Sequence, residues 1–433
     1  MNKNVVFTIV AKNYIGLAQI LESSLNAHNK DTDFFIIVAD EFLDSFDKKN
    51  LPSNIIIARN TLNIPDHQWI DMSFKYDLTE FCTSIKPASF LYFMENTNYE
   101  KIIYLDPDIY IYSSLSPIYE VLENRSIILT PHVTKIRDHY KGDLPESNLL
   151  GSGVFNLGFC GVRKNTISKK MLTWWHERLN DKCFIDAYNF YFTDQKWMDF
   201  LPCYFTSDEL HISQHLGMNI APWNFFEREI FIENDKIRVR NREESSKHDN
   251  FPVIFVHYSG YNYVEMKKGI VIQNNISNIK NYEDIKLLTD VYSNAVYEKR
   301  EIFDGYIKEK YSFGLFESGE TITKFHRRMY RSLIDKGVSF ENPFLVSDNS
   351  LYQKLKAKGM ITNSTMNIGK VNRDDLKGIE GKLKIFNVVT RLLYKIIGIE
   401  KYTLLIRLFG PFSRFESQIH LVNSDFDKEN IKR

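Results

Sequence analysis

The sequence predicts an α/β protein built on a largely parallel, mixed sheet, with a mainly helical C-terminal region. Three observations predict it. Apolar runs of strand length alternate with stretches of helical period up to His257. No Gly-x-Gly-x-x-Gly follows the first run, which argues against the dinucleotide-binding version of this sheet class. Beyond about residue 290 the strand signal gives way to helical spacing, as in Leu287, Leu288, Val291, Tyr292 and Val296.

Val5-Val6-Phe7-Thr8-Ile9-Val10 reads as a buried strand, and Leu17, Ile20, Leu21, Ser24 and Leu25 then share one helical face. Phe34-Phe35-Ile36-Ile37-Val38, ended by Ala39-Asp40, and Ile55-Ile56-Ile57 are the next strands. Over 76–94, Leu78, Phe81, Ile85, Phe90, Leu91 and Phe93 suggest helical packing interrupted at Lys86-Pro87. A lysine before proline reads as a solvated residue at a helix boundary. Its nearness in sequence to Asp106 offers the other reading, a phosphate partner.

The apolar run Ile102-Ile103-Tyr104-Leu105 ends in Asp106-Pro107-Asp108, before Ile109-Tyr110-Ile111-Tyr112. Pro107 cannot donate to a ladder, so the strand should break there and turn both carboxylates toward the carboxyl edge of the sheet. Two carboxylates one residue apart form a clamp for a hard divalent cation carrying a diphosphate, although Asp and Pro are also ordinary turn formers. Ser116-Pro117 reads as a helix cap followed by proline at the first helical position, opening a helix through Ile118, Val121 and Leu122.

The glycines of Gly151-Ser152-Gly153-Val154-Phe155-Asn156-Leu157-Gly158-Phe159-Cys160-Gly161-Val162 allow close backbone approach, and Asn156 offers a donor and an acceptor for sugar hydroxyls. Alternatively the block is a strand pair with an Asn turn. Thr193-Asp194-Gln195-Lys196-Trp197 opens an apparent helix, with Thr193 or Asp194 as its default cap. A carboxylate beside an amide there could also bind sugar hydroxyls or lie beneath an anomeric carbon. Val253-Ile254-Phe255-Val256 is a buried-strand pattern ending in His257-Tyr258-Ser259-Gly260. Lone histidines are usually structural, yet one at a second strand end suits a two-carboxylate cation site, and imidazole beside carboxylates favours Mn2+ over Mg2+.

At 433 residues and 43% hydrophobic content the chain exceeds one ordinary domain and can bury a large core. Expected domains are 1–285, catalytic, and 286–433, helical. Lys+Arg and Asp+Glu both total 55, so no net field supports nucleic-acid binding. Cys82, Cys160, Cys183 and Cys203 lack Cys-x-x-Cys spacing and read as buried free thiols, which suits a cytoplasmic protein. The N-terminus carries no signal-like stretch, and no run reaches about 18 apolar residues, so membrane contact is expected to be peripheral, at the inner face of the plasma membrane.

In order, Tyr104-Leu105-Asp106-Pro107-Asp108, Asn156-Leu157-Gly158, Asp194-Gln195 and His257-Tyr258-Ser259-Gly260 resemble the GT-A-fold nucleotide-sugar glycosyltransferases, especially the family 8 group, over about residues 4–265. The resemblance implies metal ligation by Asp106, Asp108 and His257, with Mn2+ (or Mg2+) on the diphosphate of a UDP-linked donor. It further implies that Lys86 contacts phosphate or sugar, that Asn156, Asp194 and Gln195 line the donor sugar, and that Tyr14 lies near the base. Since family 8 members retain configuration, Gln195 becomes the candidate beneath the anomeric carbon, and Asp194 and Gln195 the catalytic pair. Two departures stand out. Ala11-Lys12-Asn13 replaces the usual acidic residues before the tyrosine, and Tyr261-Asn262-Tyr263 stands where the group has lysine-proline-tryptophan.

The stretch 313–344, with His326-Arg327-Arg328-Met329-Tyr330-Arg331, looks like the C-terminal extension of bacterial surface-polysaccharide glycosyltransferases. Its arginines read either as binders of a phosphorylated acceptor or donor diphosphate, or as a solvated basic face. Residues 382–414 hold seven basic residues and one acid, Glu400, among many apolar ones. That pattern fits a pair of basic amphipathic helices on an anionic membrane, or ordinary packing against the catalytic domain or a second subunit. The expected function is metal-dependent hexosyl transfer to a glycan or lipid-linked acceptor in capsule, O-antigen or related synthesis. The alternatives are a sugar-1-phosphate nucleotidyltransferase, which would need a glycine-rich loop after the first strand, and a non-catalytic glycan-binding protein on a transferase fold.

Overall fold

The computed structural model describes residues 2–42, 51–135, 142–243, 250–276, 279–361 and 379–422. They fall into two compact units, one of residues 1–65 and 78–312, the other of 66–77 and 313–433. The expected boundary at 285 lies inside the first unit, and the helix Asp66–Lys75 groups with the second.

The strands run β1 (Asn4–Val10), β2 (Thr32–Val38), β3 (Ile55–Ile57), β4 (Lys101–Leu105), β5 (Ile109–Ile111), β6 (Ile127–Leu129), β7 (Phe159–Arg163), β8 (Ile185–Asp186), β9 (Tyr191–Phe192) and β10 (Leu210–Ile212). Then follow β11 (Arg228–Glu233), β12 (Lys236–Asn241), β13 (Phe251–Pro252) and β14 (Phe255–His257). Seven of them form one sheet in the order β10-β6-β7-β4-β1-β2-β3. Neighbours pair in parallel except β7, which runs antiparallel to β4 and β6. The α/β class with a mostly parallel mixed sheet therefore holds.

The unbroken apolar run of β1 exists because both of its faces are covered, as central parallel strands require. On one side Phe7 packs against Phe90, Phe93 and Tyr104 at ring-centroid distances of 4.8, 5.2 and 5.3 Å. The helix Ile15–His28 buries Leu17, Ile20, Leu21 and Leu25. β4 stops after Leu105 as the proline predicts. The Asp106 N–H donates to Gly158 O at 2.8 Å, and the chain turns so that Ile109 N–H reaches Asp106 O at 3.0 Å. β5 then leaves the sheet and pairs antiparallel with β14, setting Ile109 opposite His257.

Several local expectations change. The helix after Leu115 begins at Ser116, so Leu115 occupies the cap position and Pro117 the first turn. The glycine block forms the short helix Glu146–Ser152, a turn and β7, with no strand pair. The helical segment after Asp194 is the 3-10 turn Lys196–Phe200, with Gln195 in the cap position and no side-chain cap. Neither Thr193, in the left-handed region at φ 45°, nor Asp194 caps it. Cys160 and Cys183 are buried, Cys82 is half-buried, and Cys203 is exposed, contrary to a uniform set of buried thiols.

In the second unit, Phe74, Met329, Leu333, Leu351, Leu355 and Ile419 form the core. Arg327, 4% exposed, sends its guanidinium to the carbonyl oxygens of Ser73 (3.1 Å), Phe74 (2.6 Å), Tyr76 (2.7 Å) and Phe313 (2.6 Å). Arg328, 2% exposed, reaches Lys75 O and Glu416, and Arg331 also pairs with Glu416. Neither the phosphate patch nor the solvated face survives for Arg327 and Arg328. A helix end leaves carbonyls without intrahelical partners, and Nη1 of Arg327 together with Nη1 of Arg328 satisfies those of the helix Asp66–Lys75 and the turn after it. Arg327→Met should therefore cost about 3 kcal/mol or more in denaturant unfolding, because it strands several buried carbonyls. A loss near zero would return this arginine to a solvent-facing role.

Candidate active site

The site forms where β4 breaks and β14 ends. His257 Nε2 lies 3.2 Å from Asp108 Oδ1 and 3.7 Å from Asp106 Oδ2. One ligand atom from each of the three residues falls within 4.8 Å of the others. The other ring nitrogen, Nδ1, lies 3.1 Å from Asn156 Oδ1, an oxygen that also accepts from Gly158 N–H at 3.1 Å and Asn219 Nδ2 at 3.0 Å. Because that oxygen can only accept, Nδ1 donates to it and Nε2 is left facing the carboxylates: it donates to Asp108 while protonated, and would offer its lone pair to a cation that replaced that proton, the arrangement used by metal-bound histidines.

The field at this point asks for positive charge. Burial would lower the pKa of His257, yet Asp108 and then Asp106 hold it above its ordinary value. Burial pushes the Asp106 carboxyl up, against the pull of Lys86 and His257. Burial also works to raise Asp108, but the charge and hydrogen bond of His257 leave it below its ordinary value. Two carboxylates and an oriented imidazole make a donor set suited to a divalent cation such as Mn2+ or Mg2+.

Gly158 is required by this crowding. A Cβ there would sit 2.5 Å from His257 Cε1 and 2.9 Å from Asn156 Oδ1. The indole of Trp223 stands edge-on to the other side of His257, with centroids 5.3 Å apart.

Lys86, only 1% exposed, is neither solvated nor open to a cavity. Its ammonium pairs with Asp194, donates to Leu157 O at 2.8 Å and stands 4.1 Å over the Tyr104 ring, whose hydroxyl donates to Asp106. Burial disfavours its charge, but Asp194 and Asp106 raise its pKa above the ordinary value. Gln195 is held at both ends of its amide: Oε1 accepts from Leu157 N–H at 3.1 Å and Nε2 donates to Ser152 O at 2.9 Å.

Two cavities flank the cluster. The smaller, about 400 Å³, is lined by Ala11, Tyr14, Thr79, Thr83, Asp106 and Asp108, among others. The larger, about 730 Å³, is lined by Asn156, Gln195, His132, Trp223 and the exposed Phe190, among others. Tyr14 is 37% exposed. The structure thus gathers Asp106, Asp108, His257 and Asn156 directly, sets Tyr14 and Gln195 along the cavities, and places Lys86 with Asp194 behind Asp106. Sequence reasoning missed Asn219, Trp223 and His132. Only Asn219 left a trace, as a polar residue in the apolar stretch Met218 to Ala221.

No protein-family model matches the chain. Two proteins of Bacillus subtilis (strain 168) are similar to it: uncharacterized protein YfnF, 26% identical over 60% of this chain and 82% of its own length, and uncharacterized protein YfnD, 23% identical over 60% and 79%. Among solved structures, the galactosyltransferase LgtC in complex with donor and acceptor sugar analogues is 17% identical, with TM-score 0.36 over 59% of this chain and 87% of that one. Mouse xyloside xylosyltransferase 1 is 13% identical, with TM-score 0.33 over 51% and 87%.

Gly158→Ala should destabilise the protein by about 1–3 kcal/mol in denaturant unfolding, since His257 and Asn156 cannot both give way. Unchanged stability would mean the ring is looser than its contacts indicate. His132, 5% exposed, gives a pH-dependent test. Burial lowers its pKa to about 4, with His257 lowering it and Asp199 raising it. The unfolded chain binds this proton first, so stability should fall as pH drops from about 6.5 toward 4, by an amount on the order of 3 kcal/mol. His132→Gln should flatten that limb of the pH–stability curve, and an unaltered limb would remove His132 as its source.

Proposed function

We propose that the chain is a glycosyltransferase that moves a hexose from a nucleotide-diphosphate sugar to a glycan acceptor, in the synthesis of a bacterial capsule, O-antigen or related polysaccharide. The observation that carries the reading is the order of the site. A cavity next to Tyr14, a cation-seeking trio at Asp106, Asp108 and His257, and a larger cavity next to Asn156 and Gln195 follow one another. Nucleoside, diphosphate and sugar follow one another in the same order in the donor.

Asp106, Asp108 and His257 would hold Mn2+ or Mg2+, which when bound neutralises charge on the departing diphosphate. Tyr14 packs on the nucleobase, and Thr79 and Thr83 line the same cavity. Asn156 orients His257 and presents its amide to the donor sugar, with Gln195 beside it. Asp194 and Lys86 are positioning residues: the ammonium, neutralised by Asp194, supports Tyr104 and through it Asp106. That assignment replaces direct phosphate contact for Lys86, whose burial leaves no face for a ligand.

Calorimetric titration with nucleoside diphosphates, with and without Mn2+, tests the reading together with hydrolysis of nucleotide sugars. Binding should require the cation, and Asp108→Asn should lower turnover at least about 100-fold. Turnover that survives both a chelator and Asp108→Asn would overturn the metal-dependent transferase.

A further inference from the structure

We propose that the helix pair within Ile379–Phe409 is a docking surface for an anionic phospholipid bilayer, lying flat on its headgroup region. This does not depend on the reaction assigned above. The segment is helical but broken at Gly398, whose φ of 79° lies in the left-handed region that favours glycine. Tyr394 and Tyr402 meet across the break, with ring centroids 6.3 Å apart. In the first helix Ile385, Val389, Leu392 and Ile396 recur at helical spacing on one face and are 68%, 55%, 55% and 80% exposed. Beyond the break Leu404 and Leu408 are 64% and 63% exposed. Contiguous apolar surface of this kind on a folded protein marks an interaction site.

Its charge selects the occupant. Lys384, Arg391 and Lys395, spaced seven and four apart, form a second stripe beside the apolar one. Over 382–414 seven basic residues face a single acid, Glu400. A second copy of the chain would bring like charges together, whereas an anionic lipid surface complements them. Among the described residues no helix is long and apolar enough to cross a membrane. An apolar stripe flanked by cations, too polar to span and too apolar for water, fits the bilayer interface. The segment is also firmly presented. Immediately after it, Ile419 and Val422 enter the core of the second unit, and Ser332 Oγ donates to Glu416 O at 3.1 Å.

The test is co-sedimentation of the full chain with vesicles of phosphatidylcholine alone or mixed with phosphatidylglycerol, at low and high salt. The protein should pellet with the anionic vesicles only, less at high salt. The triple variant Lys384→Glu, Arg391→Glu, Lys395→Glu should bind roughly 100-fold more weakly. The double variant Ile385→Ser, Ile396→Ser should also bind more weakly, and both variants should keep the parent's melting temperature. Failure to pellet, or equal pelleting with neutral vesicles, would overturn the proposal. So would sedimentation velocity showing a dimer that the serine variant dissociates.

Discussion

The antiparallel pairing of β5 with β14 is the contact on which the site depends. Each strand spans only three residues, in the register Ile109 to His257, Tyr110 to Val256 and Ile111 to Phe255. Tyr258 N–H continues it to Asp108 O at 2.9 Å. A slip of one residue would turn His257 to the opposite face and pull it from both carboxylates. Val256 also forms an isolated bridge with Ile220, which brings the neighbouring Asn219 to Asn156. One short strand thus fixes the imidazole relative to the carboxylates and fixes the amide that orients it.

Behind this geometry lies a row of buried charges that are tolerable only together. Removing one member of a buried ion pair commonly costs about 3–5 kcal/mol because the survivor is stranded. Lys86 is in that position: Asp194 and the Leu157 carbonyl satisfy its ammonium, and the Tyr104 ring lies against it. The arrangement serves position more than stability, since apolar side chains of similar volume can fill such space as favourably. What they could not supply is a tyrosine hydroxyl anchored on Asp106 with a fixed positive charge behind it.

Legibility from sequence followed the range of the interactions. The strands were readable because both faces of the sheet are covered and the runs are apolar throughout, and the break after Leu105 was readable because Pro107 has no N–H to give. The trio of Asp106, Asp108 and His257 was legible as residue types at strand ends. Long cations were misread: Lys86, Arg327 and Arg328 look solvated in one dimension, and only tertiary packing reveals the carbonyls and carboxylates around them. Trp223 and His132 carried no local mark, since their place is set by packing against His257 and against each other. Thr193 and Asp194 imitate a cap because the cap rule is local, whereas Asp194 answers to Lys86, distant in the chain.

The same logic explains why the turn after β1 lacks the acidic residues that the resemblance leads one to expect. β1 and β2 run in parallel with Val10 beside Val38, so Ala11-Lys12 leaves the sheet next to Ala39-Asp40. Asp40, 1% exposed, draws the Lys12 ammonium inward to 3.3 Å, where Glu41 O at 2.9 Å and Ser312 Oγ at 2.7 Å complete its shell. The lysine is therefore spent on the scaffold, and Ala11 and Tyr14 are left to line the smaller cavity. Under the proposed function, the nucleobase meets an aromatic ring and largely apolar walls at this turn. Recognition there would work through stacking and shape, which discriminate less sharply between bases than a carboxylate that accepts a particular ring N–H.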